Sequence, residues 1–174
     1  MDHHSRAAGV WFVSFKKATG KPRVEYDDSV EEALCFGWVD SKVNALDHER
    51  SMLWFAPRRP RTGWSRSNKE RVARLTAEGR MTPAGLAKVE AARRDGSWSR
   101  LDDVEDLRLP PDLEVALGKQ PHARRHFEAF PRSVRRGILE WIVQAKRPET
   151  RARRVAETAR LAALNQRANQ WRKP

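Results

Sequence analysis

The hydrophobic pattern changes along the chain, from short β-branched and aromatic runs to apolar stripes at helical spacing. Val10-Trp-Phe-Val-Ser-Phe-Lys16 predicts a strand. Thr19-Gly-Lys-Pro22 predicts a turn, and Arg23–Tyr26 a short returning strand. Asp28 and Glu31 have the spacing of a capping box ahead of Val30, Ala33 and Leu34, and Gly37 closes that helix. Val39–Leu46 and Met52–Ala56 predict two more strands, joined by Asp47-His-Glu-Arg50.

Helical spacing takes over afterwards. Ser67 and Glu70 predict a second capping box, with Val72 and Leu75 facing inward and Gly79 as terminator. Thr82 caps the next helix, Pro83 suits its first position, and Leu86 and Val89 give its apolar stripe. Asp102–Asp106 reads as an acidic connector, and Pro110-Pro111 restarts the chain. Helices are expected over Asp112–Gly118, Pro121–Phe130 and Pro131–Lys146, and from Pro148 onward. The tail from Asn165 has no strong pattern. The expected fold is α+β: a small N-terminal antiparallel sheet with one helix, then a mostly helical C-terminal half. Residues 1–106 should hold the sheet, a Trp/Arg-rich loop and a helical hairpin; residues 107–174 should be helical, the two packing as one body.

A length of 174 residues allows one domain with a real core. No apolar run approaches the roughly 20 residues that span a bilayer, so no membrane span is expected. Met-Asp-His-His-Ser-Arg-Ala-Ala-Gly-Val lacks an apolar h-region, and the lone Cys35 excludes an internal disulfide. Both point to the cytoplasm.

The net charge of +12 is unevenly spread. Residues 50–80 carry 9 basic and 2 acidic groups, and residues 121–174 carry 14 and 4. Residues 1–49 and 81–120 are mildly acidic. Two basic blocks suit an anionic partner, nucleic acid or another polyanion.

The first basic block contains Trp54–Arg71, which packs two tryptophans, six basic residues and two prolines into eighteen positions. Pro57 and Pro60 exclude a helix or central strand there. An ordered loop with indoles between arginines holds planar or anionic ligands by stacking and charge together. Two readings stand for this region. In one, Asp40, Glu49, Arg50, Arg58 and Trp64 converge on a pocket; in the other, Trp38 is core and Asp40 pairs with Arg50 or a loop arginine to pin the chain. The ligand-binding candidates are Trp38, Asp40, Arg50, Arg58, Arg59, Arg61, Trp64 and Asn68.

For nucleic acid, the candidates are Arg58, Arg59, Arg61, Arg66 and Lys69 in the loop block, with Arg132, Arg136, Arg147, Arg151 and Arg154 on the last two helices. Arg147, Arg151 and Arg154 share one helix face that can follow a phosphate backbone. The helical pair around Gly79 has helix-turn-helix spacing, but Pro83-Ala-Gly-Leu offers few groups for base readout.

Catalytic signals are sparse. His48 between Asp47 and Glu49 has the form of a general base, and a site near Asp40, His48 and Glu49 is the enzymatic alternative. No matching nucleophile, serine elbow or glycine-rich phosphate loop accompanies it, so no reaction and no cofactor is expected. His122 and His126 stand at i, i+4, but two arginines intervene where a zincin needs glutamate, so no metal is expected.

Several motifs follow one another in order: Glu32-Ala-Leu-Cys-Phe-Gly-Trp-Val-Asp40, Leu46-Asp-His-Glu-Arg50, Phe55-Ala-Pro-Arg-Arg-Pro60, Trp64-Ser65, Asn68-Lys-Glu-Arg71, Gly79-Arg-Met-Thr-Pro-Ala-Gly85 and Ala145-Lys-Arg-Pro-Glu-Thr-Arg-Ala-Arg-Arg154. Together they resemble the YdeI/OmpD-associated, or bacteriocin-protection, family over residues 8–172. The resemblance implies a role in tolerance of antimicrobial compounds or related stress, and no settled reaction or cofactor. It also implies a helix ahead of Gly9, without which the sheet's outer face is less covered. The combined expectation is a non-catalytic cytosolic protection protein that binds a ligand, such as an antimicrobial compound, or an anionic partner. A nucleic-acid module of low sequence specificity is the alternative.

Overall fold

A computed structural model describes residues 8–169. The start of the opening segment and the end of the tail, on which sequence expectations also fell, lie outside the described residues. The chain divides into two compact units between Ser99 and Arg100.

The first unit opens with three strands: β1 (Val10–Phe15), β2 (Trp38–Ala45) and β3 (Arg50–Pro57). They form one antiparallel sheet in the order β1-β3-β2. The register sets Phe12 against Leu53 and Val10 against Phe55, and the pleat sends these four to one face. Helix α1 (Tyr26–Cys35) covers part of that face with Val30, Leu34 and Cys35. The opposite face carries Trp11 and Trp54, edge to face with centroids 5.1 Å apart.

Local signals explain where the helices begin, and two of them differ from expectation. Tyr26 starts α1 rather than ending a strand, because Asp27 and Asp28 then fall in the first turn, where the helix dipole favours negative charge. Glu31 is therefore free of capping and instead pairs with Arg74 and Arg80. Helix α2 (Arg66–Ala77) is capped by Ser65, whose hydroxyl accepts from the Asn68 amide at 3.3 Å, two positions ahead of the expected Ser67–Glu70 box. Helix α3 (Pro83–Arg94) has the expected Thr82 cap and Pro83 at its first turn.

Thr82 also joins two helices. Its hydroxyl donates to the Cys35 carbonyl at 2.6 Å while accepting from the Gly85 amide. Gly85 lets α3 approach the end of α1 so closely that a Cβ would stand 2.3 Å from the Cys35 oxygen.

The second unit is all helical: α4 (Asp102–Glu105), α5 (Pro111–Gly118), α6 (Ala123–Ala129), α7 (Arg132–Val143) and α8 (Pro148–Ala163). The expected acidic connector is in part the short α4. Leu113, Leu117, Phe127, Ile138, Leu139 and Ile142 are fully buried around the small stripe Val155, Ala159 and Ala162 of α8. Each large side chain there contributes about 1.5–3 kcal/mol by leaving water. Alanines on α8 let α5 and α6 pack close, which is why that stripe is small. No described helix is long and apolar enough to cross a membrane.

Candidate functional site

The site is built where β3 runs out. Pro57 ends the strand, and the Arg58 amide donates to the Gly37 carbonyl at 2.9 Å, so the Arg58 side chain enters the first unit instead of leaving it. Only 6% of Arg58 is exposed. Its guanidinium carbon lies 3.7 Å from the centroid of the Trp64 ring. Nη2 donates to the Gly63 carbonyl at 2.5 Å. Nε and Nη1 are buried and have no protein acceptor.

A buried cation with two idle donors is expensive. Burial accordingly pulls the Arg58 guanidinium down to about 10, while the Asp40 carboxylate pulls the other way. The group remains charged at neutral pH.

The stack continues outward. Trp64 is fully buried and lies tilted against Trp98, centroids 5.0 Å apart. Lys69 and Arg93 stand over the Trp98 ring at 5.4 and 5.2 Å. A cavity of about 60 Å³ opens beside Arg58, Arg59, Arg61, Trp64, Lys88 and Asp95. It is several times the ~10–15 Å³ that admits one water. Four cations and one carboxylate border it, and that carboxylate is already engaged. Asp95 accepts from the Arg61 amide at 3.1 Å and from the Ser97 amide at 2.9 Å. These bonds hold Arg61 in a left-handed turn, φ 59°, a conformation that costs a non-glycine residue about 1–2 kcal/mol.

Four of the eight sequence candidates thus come together: Arg58, Arg59, Arg61 and Trp64. Asp40 lies near enough to act on the Arg58 charge, but its carboxylate accepts the Tyr26 hydroxyl at 2.7 Å. Trp38 is core, 8% exposed. Asn68 is occupied in α2, its side-chain oxygen accepting from Arg71 at 3.2 Å. Arg50 does not join. It sits at the far end of β3 and forms an ion pair with Asp47 at 2.7 Å, so of the two kinds of partner expected for Asp40, Arg50 is absent and a loop arginine, Arg58, feels its charge. Bonds from Arg50 hold the Asp47 carboxyl down to about 2.

The same geometry separates the enzymatic candidates. Asp40 faces Phe55 near the start of β2, whereas His48 and Glu49 lie in the hairpin beyond its end. Six residues of strand is about 20 Å. Glu49 is paired with Lys21 at 2.7 Å. These three side chains do not converge on one small site.

Lys88, Asp95 and Trp98 were missed by the sequence reading. Asp95-Gly96-Ser97 is an Asx-turn signal, legible in principle, and it aims the carboxylate back at the chain. Lys88 carries no such signal.

In the second unit the arginines proposed for a phosphate backbone are largely turned to protein acceptors. Arg151 is bidentate on Asp112, at 2.7 and 2.9 Å. Arg136 binds Glu105 at 2.9 Å and Glu140 at 2.8 Å, and Arg132 donates to the Glu105 carbonyl at 2.6 Å. Arg154 lies over the Trp141 ring and donates to the Trp141 carbonyl. The His126 imidazole Nδ1 meets the Ala162 carbonyl at 2.9 Å, and no group of three or more metal-ligating side chains occurs among the described residues.

Comparison with known proteins divides the chain much as its structure does. No curated protein and no solved structure is significantly similar to it. The resemblance expected over residues 8–172 is met over a shorter stretch: residues 106–165, from α5 through α8, match the family described as Bacteriocin-protection, YdeI or OmpD-Associated. The motifs between residues 32 and 85 fall instead within a match over residues 1–88 to the family described as Domain of unknown function (DUF8412). That second match spans just over half the chain, which therefore belongs to the DUF8412 family, while its helical unit is similar to the Bacteriocin-protection, YdeI or OmpD-Associated family.

Proposed function

We propose that the protein works by binding rather than by catalysis, as a protection-type protein of the kind its second-unit domain is named for, and that the Arg58–Trp64 cavity takes an anionic group. One observation carries this: Arg58 is buried on an indole with two N–H donors directed at no protein acceptor. A carboxylate or phosphate oxygen in the cavity answers the surplus of positive charge, and it satisfies the two donors once the loop yields enough to open them. The cavity admits only a small ion or the tip of a larger ligand. The lone free thiol of Cys35 supports a cytoplasmic setting.

The test is thermal unfolding in chloride-free buffer at constant ionic strength, with inorganic phosphate and then acetate added in steps. A specific site raises the first unit's melting temperature as ligand rises, following mass action. Arg58→Met should abolish that response while keeping the circular dichroism of the folded chain. An equal response in Arg58→Met, or none in the natural chain, rejects the site. In cells challenged with an antimicrobial peptide, a folded Arg58→Met chain that still protects would reject the link between this cavity and protection.

A further inference from the structure

Helix α1 packs mainly against β2 and leaves the inner side of β1 partly open, with Phe12 only partly buried. A cleft of about 360 Å³ results, walled by Val10, Phe12, Val24, Phe36, Trp38 and Phe55. Val10 is 39% exposed and Val24 48%, so the walls meet solvent directly. The helix side of the cleft carries Asp28 and Glu32, four residues apart on α1. Neither has an ion-pair partner among the described residues, in a unit whose other α1 carboxylates, Asp27 and Glu31, pair with Arg71 and Arg74. Like charges at that spacing repel, and Glu32 lies beyond the first turn, where the helix dipole no longer compensates.

The strand bordering the cleft is also unusual for an edge. The sheet has two edges, β1 and β2. The β2 edge is blunted in the ways natural sheets use, with charged Asp40 and Lys42 and a register shift between them. The β1 edge, Val-Trp-Phe-Val-Ser-Phe, has no charge, no proline and no bulge. Its pairing with β3 uses one row of backbone groups and leaves the outer row open to another strand.

We propose that β1 is a docking edge for an extended, basic peptide segment of a partner protein. The segment adds as a fourth strand, about 4.8 Å from β1, and every second side chain then enters the cleft. Lysine or arginine suits both the apolar walls and the acidic helix side. Its long stem lies along Phe12 and Phe36, and its charged head reaches Asp28 and Glu32. Backbone hydrogen bonds supply affinity, and the acidic rim supplies the preference for cations. This site is separate from the Arg58 cavity and opposite to it in charge preference, so either reading can fail alone.

The probe is a labelled peptide, acetyl-Thr-Lys-Thr-Leu-Thr-Lys-Thr-amide, whose inward positions are Lys, Leu and Lys. Fluorescence anisotropy with the full chain should show saturable binding, at least tenfold tighter than for the analogue with glutamate in place of lysine. An analogue N-methylated at the residues that face β1 should lose binding, and the peptide should slow amide exchange along β1. Asp28→Asn with Glu32→Gln, both surface changes, should erase the lysine preference in a chain that keeps its circular dichroism and a cooperative melt. Equal affinity for the lysine and glutamate peptides overturns the proposal, as does undiminished binding of the N-methylated one. Binding that appears only after residues 1–7 are removed makes the chain's own leading segment the occupant. Self-association that competes with the peptide makes a second copy the occupant. Either result overturns the proposal.

Discussion

The guanidinium carbon of Arg58 lies over the indole of Trp64, 3.7 Å from its centroid, six residues apart in sequence. Both are buried, so the contact is a desolvated cation–π pair that fixes the whole Pro57–Trp64 loop. Such pairs reach about 2 kcal/mol when water is excluded. A double-mutant cycle of Arg58→Met and Trp64→Leu in urea should give a coupling of about 1–2 kcal/mol. Arg58→Met alone should be close to neutral, because losing the stack is offset by removing two idle buried donors. Additive effects of the two substitutions would show that the stack is geometry without energy.

Tyr26 is the chain's single tyrosine, so tyrosinate absorbance reports it alone. Burial first, and then its hydrogen bond to Asp40, push its phenol from 10.0 up to about 12. The folded state therefore holds this proton more tightly than the unfolded chain. The associated stability is complete below pH 10 and disappears as pH rises from 10 to about 12. The absorbance midpoint of the folded chain should lie well above that of the chain in urea. In Asp40→Asn, which removes the charge, the midpoint should fall toward the urea value.

Gly85 and Gly137 should respond to alanine with opposite signs. A Cβ at Gly85 would meet the Cys35 carbonyl at 2.3 Å, and neither backbone can yield without shifting a helix. Gly85→Ala should cost about 1–3 kcal/mol or more. Gly137 stands within α7 with nothing within 4 Å of its would-be Cβ, so Gly137→Ala should stabilise by about 0.5–1 kcal/mol. Denaturant midpoints of the two variants decide the matter.

Arg136 and Glu105 should matter to folding rather than to polyanions. Glu105 is nearly buried, and the hydrogen bond it accepts raises the Arg136 guanidinium above its ordinary value. Glu105→Gln should lower the second unit's stability by about 1–3 kcal/mol, since it leaves a partly buried cation short of its acceptor. Arg136→Met should lower stability comparably while leaving retention on a heparin column unchanged. A marked loss of retention would restore the phosphate-backbone role.

Much of this was legible in the chain because local chemistry decides it. The β-branched run at Val10 gave its strand, and Thr82-Pro83 and Gly79 gave their helix ends. The failures are equally specific. The stretch Arg23–Tyr26 suits a strand by composition, yet Asp27 and Asp28 start a helix at Tyr26. Arg50 and Asp40 look like partners in sequence, but the antiparallel register places them at opposite ends of a hairpin. Arg58 was a site candidate, but its burial could not be foreseen. It depends on Trp98 and Asp95, more than thirty residues away, which local patterns do not connect to it.

Cys35 is the chain's only thiol, 2% exposed beneath the α3 contact, with burial pushing its pKa up. A thiol reagent therefore meets no reactive sulfur until the first unit opens. The second unit, which has no cysteine, is invisible to it. Labelling kinetics thus amount to a built-in clock for one unit within the intact chain. Run with and without phosphate or the basic peptide, that clock would reveal whether either ligand slows the opening of the unit it binds.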